Sequence, residues 1–123
     1  MKIFILKKRK DFIRAAQGVK SVQSSLILQA APSLSAPKKI VCDDTCYVGY
    51  TATKKLGKAH VRNRVKRRLR AAVACVFSSQ ACEKIDYVLI GRFKTASAPF
   101  AKIVEDLQNA LNDVKSHLTE KNE

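Results

Sequence analysis

Residues Lys54–Arg70 read KKLGKAHVRNRVKRRLR. Nine of these 17 residues are Lys or Arg, another is His60, and none is acidic. Charge concentrated in this way repels itself and destabilises a compact state, so the run points to a polyanionic partner that offsets the repulsion. Its structure is set by the apolar residues within and beyond it. Val61, Val65, Leu69, Ala72, Val73 and Val76 recur every three or four positions, which predicts an amphipathic helix over 58–77. At about 100° per residue, Asn63, Arg64, Lys66, Arg67 and Arg70 project away from that narrow stripe, and Arg62 and Arg68 flank it.

Lys54, Lys55 and Lys58 fall before or at the positive end of the helix dipole, where cations are disfavoured unless an anion joins them. Unpaired N–H groups at a helix start, surrounded by lysines, suit a phosphate. The arginines that follow offer guanidiniums, which grip phosphates bidentately and stack on exposed bases. Glu partners four residues away are absent, so an ordinary salt-bridged surface helix does not account for the run.

On either side of this helix the chain alternates helix and strand patterns. Before it, KRKDFIRAAQGV (8–19) spaces Phe12, Ala15, Ala16 and Val19 as a short helix, with Gly18 near its end. SSLILQAA (24–31) reads as a strand and PSLSAP (32–37) as a loop. KKIVC (38–42) and CYVGYTAT (46–53) read as a hairpin around the turn DDT. Within the second arm Tyr47, Gly49, Thr51 and Thr53 alternate with Val48, Tyr50 and Ala52, giving a smaller, more polar face suited to a ligand. DYVLIGR (86–92) has the continuous apolar run of a central strand. After Pro99, Phe100, Ile103, Val104, Leu107, Leu111, Val114 and Leu118 predict a last helix, with a frayed tail over about 117–123. The order is helix, three strands, helix, strand, helix: one α+β (α/β sandwich) domain over 1–123.

The 123 residues suffice for one domain with its own core, and a hydrophobic fraction of 46% fits a globular chain. Residues 1–70 hold 18 Lys/Arg against Asp11, Asp43 and Asp44, whereas residues 71–123 hold 6 against 7 acids. The basic surface is therefore confined to one part of the sequence, as expected for a nucleic-acid or anionic-surface footprint. Val and Ala dominate the apolar stripe of 58–77, too slight for a membrane-surface helix, and no run is long enough to span a bilayer. A cytoplasmic location is expected. Cys42, Cys46, Cys75 and Cys82 lack paired metal-ligand spacing and read as reduced thiols. His60 within the basic helix and His117 near the tail have no nucleophile or orienting acid beside them, so no protein-based active site and no protein-bound metal are expected.

The run K-K-x-G-x-A-x-x-R-N-R-x-K-R, led in by TATKK, closely resembles the signature of the bacterial ribonuclease P protein family. LKKRKDF, SSLILQAAP, VGYTATKK and DYVLIGR are similar to that family in the same order, over roughly residues 5–112. The resemblance implies a small basic cofactor of a catalytic RNA, which itself performs the magnesium-dependent removal of the 5′ leader from precursor tRNA. It implies that Lys54, Lys55, Arg62, Asn63, Arg64, Lys66, Arg67 and Arg70 meet the catalytic RNA, with Lys58 added from the phosphate argument above. Phe12 would line a leader cleft between the first helix and the sheet, with Thr51 and Thr53 as its neighbours. A single four-stranded mixed sheet is implied, with magnesium held mainly by the RNA and no obligate protein partner, the chain being a monomer in the complex. So is a left-handed crossover through the basic helix, against the right-handed rule for ~98% of such connections. Two family aromatics are missing here: Ala16 stands one turn beyond Phe12, and Gln29 or Ala30 stands on the first strand. The rival reading of the same charge is a freestanding RNA-binding module without a link to tRNA processing.

Overall fold

The computed structural model describes residues 2–32, 45–80 and 85–121. The elements run β1 (Lys2–Ile5), α1 (Arg9–Ala16), β2 (Val19–Val22), β3 (Leu26–Pro32) and β4 (Thr45–Thr51). A 3₁₀ turn (Lys54–Leu56) then leads into α2 (Ala59–Gln80), β5 (Ile85–Gly91), α3 (Phe93–Ser97) and α4 (Phe100–Lys121). The strands form one mixed sheet in the order β1-β4-β5-β3-β2. β1, β4 and β5 are parallel neighbours, whereas β3 is antiparallel to both β5 and β2.

Among the described residues five strands replace the expected four. β2 carries the alternation VKSV, and its Val19 belongs to the sheet rather than to the first helix, which stops at Ala16 just before Gly18. It pairs with β3 across a tight turn closed by the Gln23 N–H donating to the Leu26 carbonyl at 2.8 Å. β1 is four residues long, and its parallel partner β4 lies some forty residues away, a pairing that no local pattern announces. The first arm of the hairpin read over 38–42 lies outside the described residues. Its second arm is β4, whose two edges carry β1 and β5. β5 is central, as its apolar run predicts.

The sheet has two unlike faces. On one, Leu26, Leu28, Ala30, Cys46, Val48, Tyr87 and Leu89 are buried beneath the two 22-residue helices α2 and α4. The stripe expected on α2 is inside, with Val65, Leu69, Ala72, Val73 and Val76 buried, and Phe77 joins them edge-on to Tyr87 at 5.1 Å. Each of these Val, Leu and Phe side chains contributes roughly 1.5–3 kcal/mol by leaving water. Four residues of the α4 stripe, Ile103, Leu107, Leu111 and Val114, are equally buried, but Phe100 at its head is 38% exposed.

Among the described residues the other face carries only α1. Eight helical residues span ~12 Å, and a helix is ~10 Å wide, whereas five strands ~4.8 Å apart make a broader surface. Ile27, Gln29, Thr51 and Ile90 are accordingly only half-buried there.

Candidate nucleic-acid interface

The basic run begins on the 3₁₀ turn, where Leu56 N–H donates to the Thr53 carbonyl at 3.0 Å and Gly57 N–H to the Lys54 carbonyl at 3.2 Å. Gly57 then takes φ 129°, a backbone conformation that L side chains rarely adopt, which explains the glycine in this motif. The Lys58 carbonyl accepts the N–H groups of Val61 and Arg62 at 3.0 and 3.1 Å and starts α2. No acidic residue occupies the first turn of α2.

Lys54, Lys55, Lys58, Asn63, Arg64, Arg67 and Arg70 are exposed, and Arg62 and Lys66 are half-buried. These nine residues thus sit on one turn and the first three turns of a helix that the buried valines fix to the sheet. Among the described residues, none of the nine forms an ion pair. Lys66 sits deeper than the helical wheel suggests. Arg70 lies over the Tyr50 ring, 5.6 Å from its centroid, which steadies the guanidinium. Burial pushes the Tyr50 hydroxyl up to about 12 while Arg70 pulls it the other way, so the phenol stays neutral and adds no negative charge beneath the cations.

A second site lies under α1. The Phe12 ring rests directly on Gly49, where a Cβ would fall 2.5 Å from Phe12 Cζ, so a side chain at position 49 would displace it. Tyr47, Gly49 and Thr51 share this face of β4, as their alternation predicts, and Thr51 is half-buried beside Ile90, its register partner on β5. Thr53 is exposed beyond the end of β4, where the chain enters the 3₁₀ turn, and so does not share the strand face. Gln29 faces this side opposite Val88, whereas Ala30 belongs to the α2/α4 core. Gln29 is therefore the residue that stands toward the cleft.

Sequence reasoning missed part of this site. Phe4 on β1 pairs with Tyr47, ring centroids 5.5 Å apart, and remains 46% exposed. Beside them Ile5, Leu6, Lys7, Lys8, Asp11 and Tyr47 line a surface cleft of about 280 Å³. Recognising β1 would have put Phe4 on the same face as Tyr47. α1 itself is pinned by Arg14, which donates to Asp11 at 3.0 Å and also pairs with Asp86, buried on β5.

The remaining polar groups are structural. Asp106 of α4 accepts the Ser25 N–H at 3.0 Å and the hydroxyls of Ser25 and Ser24 at 2.6 and 3.1 Å, and Lys102 lies 3.2 Å away. Burial alone would raise this carboxyl, but those hydrogen bonds hold it below the usual carboxylate value. Asp113 accepts from Ser21 at 2.9 Å and Gln23 at 3.4 Å. His60 is exposed, and His117 Nδ1 donates to the Asp113 carbonyl at 2.8 Å. Cys46 is buried in the core and Cys75 exposed on α2, while Cys42 and Cys82 lie outside the described residues. Among the described residues no three His, Cys, Asp or Glu side chains gather as a metal site, and no helix is long and apolar enough to cross a membrane.

Comparison with known proteins agrees with this geometry. The Ribonuclease P family model matches residues 2–115. The ribonuclease P protein component of Paramagnetospirillum magneticum is 44% identical over 120 residues, covering 94% of this chain and 88% of that protein. The corresponding component of Ruegeria pomeroyi is 40% identical, over 89% of this chain and 84% of that protein. Among solved structures, the Staphylococcus aureus RNase P protein superposes with a TM-score of 0.69 at 25% identity, covering 89% of this chain and 93% of the other. The Thermotoga maritima RNase P protein, at 23% identity, shares the fold with a TM-score of 0.68, over 85% of this chain and 91% of the other. The chain belongs to the ribonuclease P protein family.

Proposed function

We propose that the cationic surface of the 3₁₀ turn and α2 docks this chain on the ribonuclease P RNA, and that the cleft beneath α1 receives the 5′ leader of precursor tRNA. The chain is a protein component of an RNA-based endoribonuclease and acts in tRNA 5′-end maturation; the cleavage chemistry belongs to the RNA. One observation carries the assignment of surfaces: nine Lys, Arg and Asn side chains, free of ion pairs among the described residues, stand on the 3₁₀ turn and on the first turns of a helix that the core holds in place. A preformed cationic face binds folded RNA without first having to order its own backbone.

In this reading Lys54, Lys55, Lys58, Arg62, Arg64, Lys66, Arg67 and Arg70 neutralise RNA phosphates, and Asn63 supplies a hydrogen-bonding side chain among them. Phe12 offers a stacking surface to the leader, with Thr51 and Thr53 lending hydroxyls along its path toward the basic turn. The left hand that the family resemblance implies for the β4-α2-β5 crossover belongs to the same proposal, as do a cytoplasmic location and action as a monomer within the complex. Among the described residues the buried carboxylates Asp11, Asp86 and Asp106 are all engaged by protein donors, and no three His, Cys, Asp or Glu side chains gather for a hard cation, so this reading assigns magnesium to the RNA.

The leader assignment is tested on the holoenzyme assembled with its cognate RNA, by comparing affinity for precursor tRNA with affinity for the same tRNA lacking its leader. Phe12→Ala should weaken binding of the leader-bearing substrate by roughly 5- to 100-fold, the range expected when one stack is removed, and leave the leaderless tRNA unchanged. Equal affinities of wild type and Phe12→Ala for the leader-bearing substrate would remove Phe12 from the leader path.

A further inference from the structure

At the junction of α2 with α4, Arg64, Arg67, Arg68, Ala71 and Phe100 line a recess of about 240 Å³. It lies apart from the α1 cleft, on an outer stripe of α2 where residues three and four apart stack in one row. Two of its arginines are already held in place. Arg64 Nε donates to the Ala96 carbonyl of α3 at 3.1 Å, and an amino group of Arg68 donates to the carbonyl of Ala98 just beyond it, so the end of α3 and its link to α4 fix both guanidiniums. Their rotamer entropy is lost on folding rather than on binding.

Phe100 is the anomaly that gives this recess a meaning. It heads the apolar stripe of α4, whose residues Ile103, Leu107, Leu111 and Val114 are buried, yet its own ring is 38% exposed and belongs to the wall of an arginine-lined recess. Among the described residues no acidic side chain lines it, and the small Ala71 completes the lining. Its volume is below the ~300–1,000 Å³ of typical small-molecule sites, which favours one flat group over a whole cofactor. An aromatic face beside several guanidiniums matches a single base with its phosphate. Within an A-form duplex the base faces are covered by their neighbours, so only an unpaired nucleotide offers both.

We propose that Arg64, Arg67, Arg68 and Phe100 form a pocket for one unpaired nucleotide of the RNA partner. Its base stacks on Phe100, and its phosphate is held by the Arg64 and Arg67 guanidiniums. The proposal rests on the RNA-docking role given to α2 above, and it adds a stacking contact from α4 to a surface otherwise read as mainly ionic.

The test is equilibrium binding of the full chain to its cognate ribonuclease P RNA across a salt series, with chemical probing of ribose 2′-hydroxyls in the complex. Phe100→Ala should weaken binding roughly 5- to 100-fold at every salt concentration, with the slope of log affinity against log salt unchanged. Phe100→Tyr should restore wild-type affinity, and an unchanged urea-unfolding midpoint for Phe100→Ala separates lost stacking from a folding defect. Arg64→Ala/Arg67→Ala should make the slope shallower by about 0.7–0.9 for each phosphate no longer neutralised. One unpaired nucleotide should be protected by wild type and Phe100→Tyr and released in Phe100→Ala. Unchanged affinity of Phe100→Ala beside a shallower slope for the arginine pair would overturn the pocket while leaving α2 as the docking surface. An arginine pair that leaves both affinity and slope unchanged would overturn the docking role and the pocket together.

Discussion

The two faces of the sheet put the same kinds of residue to different uses. Beneath α2 and α4, aromatic and branched side chains interlock away from water, and Phe77 against Tyr87 serves stability alone. Beneath α1 the aromatics Phe4, Phe12 and Tyr47 are only partly covered, because one short helix cannot roof the surface. The dry face supplies rigidity, and in the proposed function the wet face and the outer side of α2 draw on it for binding. Substitutions on the first face should therefore appear in unfolding experiments, and those on the second mainly in ligand affinity.

The largest stability effect is expected at the centre of the dry face. Leu69→Ala removes a fully buried side chain between α2 and the sheet and should cost about 4 kcal/mol in urea unfolding. A loss below about 1 kcal/mol would mean that the two-helix face is not the principal core. Next comes the pin that holds α1: Arg14→Ala strips buried Asp86 of a guanidinium partner and should cost about 3 kcal/mol. Because that pin also sets the cleft, it should be the one stabilising residue whose loss weakens leader binding as well.

Asp106 ties α4 to the β2–β3 turn, and Asp106→Asn should cost about 1–2 kcal/mol at neutral pH. The sign of its pH dependence follows from the lowered pKa of the folded state. The carboxylate contributes stability above the unfolded value of ~3.9 and loses it as the pH falls through the lower folded value. Wild type and variant should therefore converge in that acid window, and a gap that widened on acidification would contradict the assignment. The smallest change in stability belongs to the wet face: Phe4→Ala, at a ring already 46% exposed, should cost less than about 1 kcal/mol. A larger loss would show that the Phe4–Tyr47 pair belongs to the core after all.

Much of this arrangement is legible in the residues. The helical spacing from Val61 to Val76 announces α2, its buried face and its cationic face together, because one period encodes all three. The uninterrupted run in β5 announces a central strand, and the alternation from Tyr47 to Thr51 announces the face that looks toward α1. What escapes is short or non-local. β1 and β2 have four residues each, α3 has five, and β1 is defined by a parallel partner that sequence proximity does not reveal. With β1 unread, Phe4 and the lysines beside it have no place in the leader cleft that the sequence suggests. Phe100 keeps helical spacing with the α4 core but lies on the first turn, beyond the reach of the sheet, so periodicity alone assigns it to the wrong side.

The central claim is that the cationic face of α2 joins this chain to a catalytic RNA and so promotes leader removal. It is tested most directly by single-turnover cleavage of a leader-bearing precursor tRNA with the cognate ribonuclease P RNA at low magnesium, with and without the protein. Wild type should stimulate cleavage strongly, and an Arg62→Ala/Arg64→Ala variant with an unchanged unfolding transition should lose that stimulation. Equal stimulation by the folded variant and wild type would contradict the account, because the surface that defines the sequence would then play no part in the activity.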